Sequence, residues 1–161
     1  MKKKDVAIMG ATSHIARTLI ERFLRHGGFR LHLYTRSPRR LRAFLAAAGP
    51  AGGKNCVVHK GYSRFLAGRH DVLINCVGVG TGAKLRGDYT KWFTVSEEYD
   101  NLALSCLKSR PAGALYISFS SGAVYGRRFS APAGKNTANL LKVNNISSAD
   151  YYGIARLNSE A

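Results

Sequence analysis

The sequence predicts an α/β fold built on a doubly wound parallel sheet of about five strands, and three features carry that prediction. Val6-Ala7-Ile8-Met9 is a short β-branched run that stops at Gly10, after which apolar residues recur at helical spacing at Ile15, Leu19, Ile20, Phe23 and Leu24. Strand-like and helix-like segments then keep alternating along the chain. Val72-Leu73-Ile74-Asn75-Cys76-Val77 is a long apolar run of the kind found in strands covered on both faces.

Local chemistry sets each element. Gly27-Gly28 ends the first helix, and Leu31-His32-Leu33-Tyr34 reads as the second strand. Pro38, whose fixed φ suits a first helical turn, opens a helix through Leu41, Phe44 and Leu45. Gly49-Pro50-Ala51-Gly52-Gly53 breaks the chain, and Asn55 to His59 supplies a third strand ahead of the fourth at Val72 to Val77. Gly78 to Thr94, rich in Gly and Lys, reads as loop and irregular helix. Val95 to Leu107 carries a helical stripe at Tyr99, Leu102, Ala103 and Cys106 that ends before Pro111, and Ala114-Leu115-Tyr116-Ile117-Ser118-Phe119 is a fifth strand. Arg127 to Ile146 reads as a long polar loop. Ser147-Ser148-Ala149-Asp150, a Ser with an acid three residues on, then starts a helix that puts Tyr152 and Arg156 in its opening turns.

A chain of 161 residues with 45% hydrophobic content suits one domain, residues 1–161, around one core. Cys56, Cys76 and Cys106 are odd in number, widely spaced and set in apolar runs, which predicts reduced buried thiols and no metal site, in a cytoplasmic setting. The start is basic, but Asp5, His14 and Arg17 leave too short an apolar stretch for a secretory signal, and no segment approaches a membrane span. The net charge of +16 calls for anionic ligands. Basic residues cluster at Lys2 to Lys4, Arg36 to Arg42, Lys84 to Lys91 and Arg127-Arg128. Nucleic acid is a weak expectation, because these clusters lack interleaved aromatic residues beyond Tyr89 and Trp92.

Gly10-Ala11-Thr12-Ser13-His14-Ile15-Ala16 joins the first strand to the first helix, where backbone N–H groups and the positive helix end can hold a pyrophosphate. Ser13 and Ala16 stand where a dinucleotide fingerprint has its later glycines; both are small. Gly10, Thr12, Ser13, His14 and Ile15 are therefore expected at a dinucleotide. The second strand ends in Thr35-Arg36-Ser37-Pro38, with no acid for a ribose hydroxyl; Arg36 and Ser37 suit a 2′-phosphate, which favours NADP over NAD. Cys76, Val77 and Gly78 close the fourth strand, where a small turn admits the nicotinamide ribose. Ser120 and Ser121 follow the fifth strand, on the edge where such sheets bind ligands. Tyr152 and Arg156, four apart, share a helix face, so the cation can stabilise a phenolate for proton transfer.

The Gly10 turn, Asn75-Cys76-Val77-Gly78, Ser120-Ser121-Gly122-Ala123-Val124-Tyr125-Gly126 and Tyr151-Tyr152-Gly153-Ile154-Ala155-Arg156-Leu157-Asn158-Ser159-Glu160, in this order, resemble the NAD(P)-dependent epimerase/dehydratase family, the extended short-chain dehydrogenases/reductases. The resemblance covers the whole chain. It implies a Rossmann domain, a nicotinamide cofactor and a nucleotide-sugar substrate. It also implies that Tyr152 is the acid/base, that Ser121 orients the substrate oxygen, and that Arg156 stands where the family has a lysine holding the nicotinamide ribose.

Four departures shape the expectations. Arginine does not readily give up a proton and its planar head is wider, so weakened turnover is expected. Gly122-Ala123 replace the acidic pair of the dehydratases, which favours epimerase or ketoreductase chemistry, and Gly61-Tyr62 replace the family's acid after the third strand. Family members continue beyond this helix, so the resemblance implies a domain truncated at its carboxyl end, with an open fifth-strand edge and self-association through Val95–Leu107 and the last helix. A non-catalytic dinucleotide-binding module, or a subunit completed by a partner chain, is the alternative.

Overall fold

In the computed structural model, which describes residues 3–49, 51–80, 85–109, 113–126, 131–137 and 143–161, β1 (Lys4–Met9) is the middle strand of a five-stranded parallel sheet in the order β3-β2-β1-β4-β5. The remaining strands are β2 (Phe29–Thr35), β3 (Cys56–Lys60), β4 (Val72–Asn75) and β5 (Leu115–Ser118). The helices are α1 (His14–His26), α2 (Pro38–Ala47), the short α3 (Ala51–Lys54), α4 (Lys91–Lys108) and α5 (Tyr151–Glu160), with single 3₁₀ turns at Gly122–Tyr125 and Val143–Asn145. The doubly wound parallel sheet expected from the sequence is present. The chain divides into two compact units, Met1–Val77 with Asn101–Ser118, and Gly78–Asp100 with Phe119–Ala161.

In the first unit, β1 pairs with β2 from Lys4↔Phe29 to Met9↔Tyr34 and with β4 from Val6↔Val72 to Met9↔Asn75. Val6, Ala7, Ile8 and Met9 are fully buried, as are Leu33 and Leu73. Ser13 caps α1, its Oγ accepting the Ala16 N–H at 3.2 Å, and Gly27 at φ 71° ends it by donating to the Phe23 carbonyl. The apolar stripe of α1 faces the sheet through Ala16 and Ile20, whereas Ile15, expected on that stripe, is 46% exposed.

The two sheet faces differ because strand side chains alternate. Leu31, Leu33 and Thr35 of β2 point to one side, and His32 and Tyr34 to the other, where His59 pairs in register with Tyr34. The crossover from β3 to β4 forms turns at residues 63–67 in place of a regular helix, and it covers this polar face with Phe65 and His70, both buried. Tyr34 stacks on His59 with ring centroids 4.4 Å apart and meets Phe65 edge to face at 5.0 Å.

The second unit packs Leu85, Trp92 and Ala155 with Val79, Tyr89, Phe93, Tyr151 and Tyr152. Here α4 begins at Lys91, four residues before the expected Val95, because Trp92 and Phe93 join that core. Other boundaries move for local reasons. A turn of helix, α3, forms where a simple chain break was expected. The fourth strand stops at Asn75, short of the expected Val77, because the Asn75 side-chain oxygen takes the Val77 N–H at 3.0 Å.

Cys56 is half-buried, not buried as expected; Cys76 and Cys106 are buried, and all three are free thiols. Burial pushes the Cys56 thiol up to about 11 and that of Cys76 to about 12, so neither ionises near neutrality. Among the described residues no cluster of side chains could hold a metal ion, and no helix is long and apolar enough to cross a membrane. At the sheet's edge, Leu115 of β5 is 55% exposed. Lys2, Lys84 and the Arg127-Arg128 pair lie outside the described residues, as does part of the expected Arg127–Ile146 loop.

Gly10 has φ 65°, and a Cβ there would lie 2.9 Å from the Cys76 carbonyl oxygen. Gly10→Ala therefore combines a left-handed backbone with a clash against backbone atoms, and is expected to cost about 2–4 kcal/mol. Chemical denaturation comparing the two proteins measures the loss.

Candidate functional site

The residues singled out from the sequence fall into one group in each unit. In the first unit they gather at the carboxyl edge of the sheet, where β1 ends in Gly10 and α1 begins. Ser13 N–H donates to the Gly10 carbonyl at 2.9 Å, and the Ala16 amide is satisfied by the Ser13 hydroxyl. The His14 and Ile15 amides, at the first two helical positions, have no intrahelical acceptor and so remain donors for an anion. His14 and Ile15 are both exposed, and Ile15 sets an apolar side chain next to these amides.

A hydroxyl relay ties this turn to the end of β2. Thr12 Oγ1 lies 3.4 Å from Thr35 Oγ1, which accepts the Ser37 N–H at 3.0 Å, and the Ala11 N–H donates to the Tyr34 carbonyl at 3.0 Å. Thr35 is almost fully buried, so its hydroxyl fixes the chain direction entering Arg36. Arg36 is exposed and Ser37 is half-buried at the start of α2, with Pro38 at its first position. The Ser37 hydroxyl makes no capping bond.

Beyond β4, the Cys76 N–H donates to the Met9 carbonyl at 3.1 Å, and the Cys76 carbonyl lies against Gly10. Asn75 holds the turn through the Val77 N–H and donates to the Tyr116 hydroxyl at 3.3 Å. Cys76 thus contributes backbone here, its thiol being buried. After β3, Gly61 donates to the Thr35 carbonyl at 2.8 Å, and the Tyr62 hydroxyl accepts the Gly10 N–H at 2.9 Å.

In the second unit, Tyr152 and Arg156 lie one turn apart on α5, with the guanidinium carbon 5.5 Å from the centroid of the Tyr152 ring. Positive charge thus lies within cation–π reach of the Tyr152 ring. Arg156 Nε is buried with no hydrogen-bond partner among the described residues, and the same is true of Nε1 of Trp92, whose ring lies 5.7 Å from that of Tyr152. A Cβ at Gly78 would meet Arg156 Nη2 at 3.5 Å, an ordinary contact.

The Ser121 hydroxyl accepts the Ala123 N–H at 3.2 Å and caps the Gly122–Tyr125 turn, while the Ser120 hydroxyl donates to the Glu160 carboxylate. The helix opens much as its sequence suggests. The Ser147 N–H and hydroxyl both donate to Asp150 Oδ2, at 2.9 and 2.8 Å, and α5 starts at Tyr151. Gly153 lets α5 pass over the 3₁₀ turn, since a Cβ there would be 2.5 Å from the Ala123 carbonyl oxygen.

No protein-family model matches the sequence, and no curated protein matches it. The structure is similar to UDP-glucose 4-epimerase from Bifidobacterium longum, solved with NAD+ and UDP, with a TM-score of 0.76 and 18% identity over 97% of this chain and 47% of that one. It is also similar to UDP-glucose-4-epimerase from Stenotrophomonas maltophila, solved with NAD and formylated UDP-arabinopyranose, with a TM-score of 0.76 and 15% identity over 98% of this chain and 46% of that one. The chain has the Rossmann-like fold of these epimerases. The UDP-Glc/GlcNAc 4-epimerase of Campylobacter jejuni matches in the same way, with a TM-score of 0.74 and 14% identity over 98% and 47% of the two chains. The chain spans about half the length of each of these epimerases.

Five residues were not singled out from the sequence: Thr35, Tyr62 and Asn75 in the first unit, and Trp92 and Gly153 in the second. Thr35 and Asn75 each accept an amide two residues on, but the contacts that tie them, Tyr62, Trp92 and Gly153 to other segments span distances that spacing along one element does not reveal. Only Gly153, a glycine inside a helix beside an aromatic pair, carried a local signal of close backbone approach.

Gly153→Ala sets a helix-propensity gain of about 1 kcal/mol against a clash with backbone of about 1–3 kcal/mol or more. At 2.5 Å the clash wins, and α5 should loosen from the turn. Trp92, the single tryptophan, is 8% exposed in the same core, so a red shift of its emission measures the effect.

Proposed function

We propose that the chain is an NADP-binding member of the epimerase/dehydratase family, with epimerase- or ketoreductase-type chemistry on a nucleotide sugar and turnover weakened by Arg156. The observation that carries the dinucleotide reading is the Gly10 turn, with its open His14 and Ile15 amides and its hydroxyl relay to the Ser37 amide, next to Arg36. These groups fit the cofactor's chemistry: amides at a helix N-terminus for a diphosphate, and a guanidinium with the Ser37 hydroxyl for a 2′-phosphate. The solved epimerases with this fold that hold NAD and UDP or a UDP-sugar support a nicotinamide dinucleotide and a nucleotide-sugar substrate. The Arg36-Ser37 pair and the lack of an acid at that strand end support NADP.

A nicotinamide dinucleotide held here would supply hydride exchange. In this reading, Gly10, Thr12, Ser13, His14 and Ile15 hold the diphosphate end, and Cys76, Val77 and Gly78 offer backbone to the ribose. Tyr152 takes the proton from a sugar hydroxyl and later gives one back. Arg156 supplies positive charge to the Tyr152 phenolate, and Ser121, whose oxygen accepts the Ala123 N–H, orients the sugar oxygen through its remaining O–H. A dinucleotide-binding module without turnover is the second reading, and it is favoured by that capping bond, which gives the Ser121 oxygen a structural role in the turn.

Fluorescence titration is expected to give tighter binding of NADPH than of NADH. Arg36→Ala should weaken NADPH by about tenfold, the loss of a charge-assisted contact, and leave NADH nearly unchanged. Equal losses for both cofactors would remove the 2′-phosphate role.

Arg156→Lys should raise the single-turnover rate of hydride transfer with a nucleotide-sugar substrate, because an ammonium both fits a narrower ribose contact and can pass a proton. No gain from the lysine would set aside this account of the arginine, and no transfer by either protein would favour the module.

A further inference from the structure

We propose that Tyr62 is a positioning residue that braces the dinucleotide turn through the Gly10 amide, and that the histidine-rich ring layer behind it makes the brace sensitive to protonation. The proposal rests on the dinucleotide reading of that turn for its consequence, but its geometry is independent of any ligand. All of the groups involved belong to the first unit.

Tyr62 sits two residues beyond β3, after Gly61 at φ 67°. Its hydroxyl accepts the Gly10 N–H at 2.9 Å, so the amide that starts the turn points to a side chain from another strand connection. The Tyr62 ring stacks on Tyr34 at 5.9 Å with the planes 15° apart, and Tyr34 stacks on His59 at 4.4 Å and 9°. From there the contacts become hydrogen bonds. His59 Nε2 lies 3.3 Å from His32 Nδ1, and His32 Nε2 lies 3.1 Å from Asp5 Oδ1. Tyr34 also bonds through its hydroxyl to His70 Nε2 at 3.1 Å, within a site where Tyr34 and His70 are nearly fully buried.

Proton counting fixes how this chain works. A neutral imidazole has one N–H and one acceptor nitrogen. The 3.3 Å contact between His32 Nδ1 and His59 Nε2 is matched by one N–H, which either ring can supply while its partner accepts. With both rings protonated, two N–H groups and two like charges would face each other across that contact, with the His59 charge against the Tyr34 ring.

The groups facing His59 are His32 and Tyr34 from β2 and Arg64 from the crossover; Tyr62 and His70 are reached through Tyr34, and Asp5 with its neighbours Arg30 and Asp71 through His32. Burial first, and then the charges of His32 and Arg64, hold the His59 pKa below the ordinary 6.5. With the folded value lowered, the layer's full contribution is present above 6.5 and is lost as pH falls through the folded value. The brace on Gly10 should loosen over the same interval.

The test is an NMR titration of the ligand-free protein from about pH 8 to about pH 5, following the His59 ring and the Gly10 amide together. The Gly10 amide is expected to shift with the His59 midpoint, and its hydrogen exchange should quicken as His59 is protonated. A Gly10 amide that stays flat, or follows a different midpoint, overturns the proton-sensitive brace. Tyr62→Phe keeps the ring and removes the acceptor, so Gly10 exchange should quicken at about pH 8 and lose its pH dependence, and NADPH binding should weaken by about fivefold. Unchanged exchange in that variant overturns the positioning role. His59→Phe keeps the stack without the proton, and NADPH affinity in that variant should no longer fall between about pH 8 and about pH 5.5. Failure of the unaltered protein to bind either cofactor at about pH 8 would count against the dinucleotide reading, while the Gly10 and His59 titration would still decide the brace.

Discussion

The first unit's ligand edge depends on one close approach of backbone to backbone, at Gly10. The space that a Cβ would fill is taken by the carbonyl of Cys76, and the positive φ turns the chain from β1 into α1. From that single residue the carbonyl takes the Ser13 amide and the amide goes to Tyr62. The ends of β1 and β4, the loop after β3 and the start of α1 are therefore fixed against one another. A side chain at this position would meet a left-handed penalty of about 1–2 kcal/mol before any clash, a sizeable part of the stability of about 5–15 kcal/mol usual for a domain.

The second unit repeats the device with Gly153, on a helix in place of a turn. Backbone approach between α5 and the Gly122–Tyr125 turn brings the helix carrying Tyr152 and Arg156 against the turn capped by Ser121. Around Tyr152, Trp92 and Arg156 each leave a buried nitrogen without an acceptor among the described residues. Such groups cost about 1–3 kcal/mol each when unsatisfied, which sets them apart from ordinary packing residues. Arginine also differs from lysine in where it can rest: its flat head lies against the Tyr152 ring, an arrangement that a compact, strongly hydrated ammonium adopts less readily.

Much of the fold was legible because its signals are local. The run at Val72, the glycine turn at Gly10 and Pro38 at the start of α2 each act within a few residues, and each element formed where those residues place it. The end of β4 at Asn75 is set locally, by its side chain on the Val77 amide, whereas the start of α4 has a non-local cause. The start of α4 at Lys91 is set by Trp92 and Phe93 packing with Leu85 and Ala155, residues up to seventy apart in sequence. Ile15 fits the helical period of α1 but lies at its first turn, beyond the reach of the sheet, so periodicity assigned it to the core and geometry left it exposed. In the candidate site, Arg36, Tyr152 and Arg156 were legible as candidates from residue type and spacing, whereas the contacts of Thr35 with Thr12, Tyr62 with Gly10 and Asn75 with Tyr116 join segments distant in sequence.

The polar face of the sheet explains why the crossover to β4 is irregular. A helix laid over β1, β2 and β3 would present an apolar stripe to His32, Tyr34 and His59 and leave their polar atoms without partners, at a cost for each buried group. Residues 61–71 instead supply His70 to the Tyr34 hydroxyl, an Asp71 carboxylate to the Asp5 amide and the Phe65 ring to fill the space between. Turns allow this because each residue can aim separately, where a helix would fix its side chains at regular angles. The same freedom lets Tyr62 reach back to Gly10 while its ring stays in the stack, so the segment that satisfies the polar face also holds the turn at the sheet's carboxyl edge.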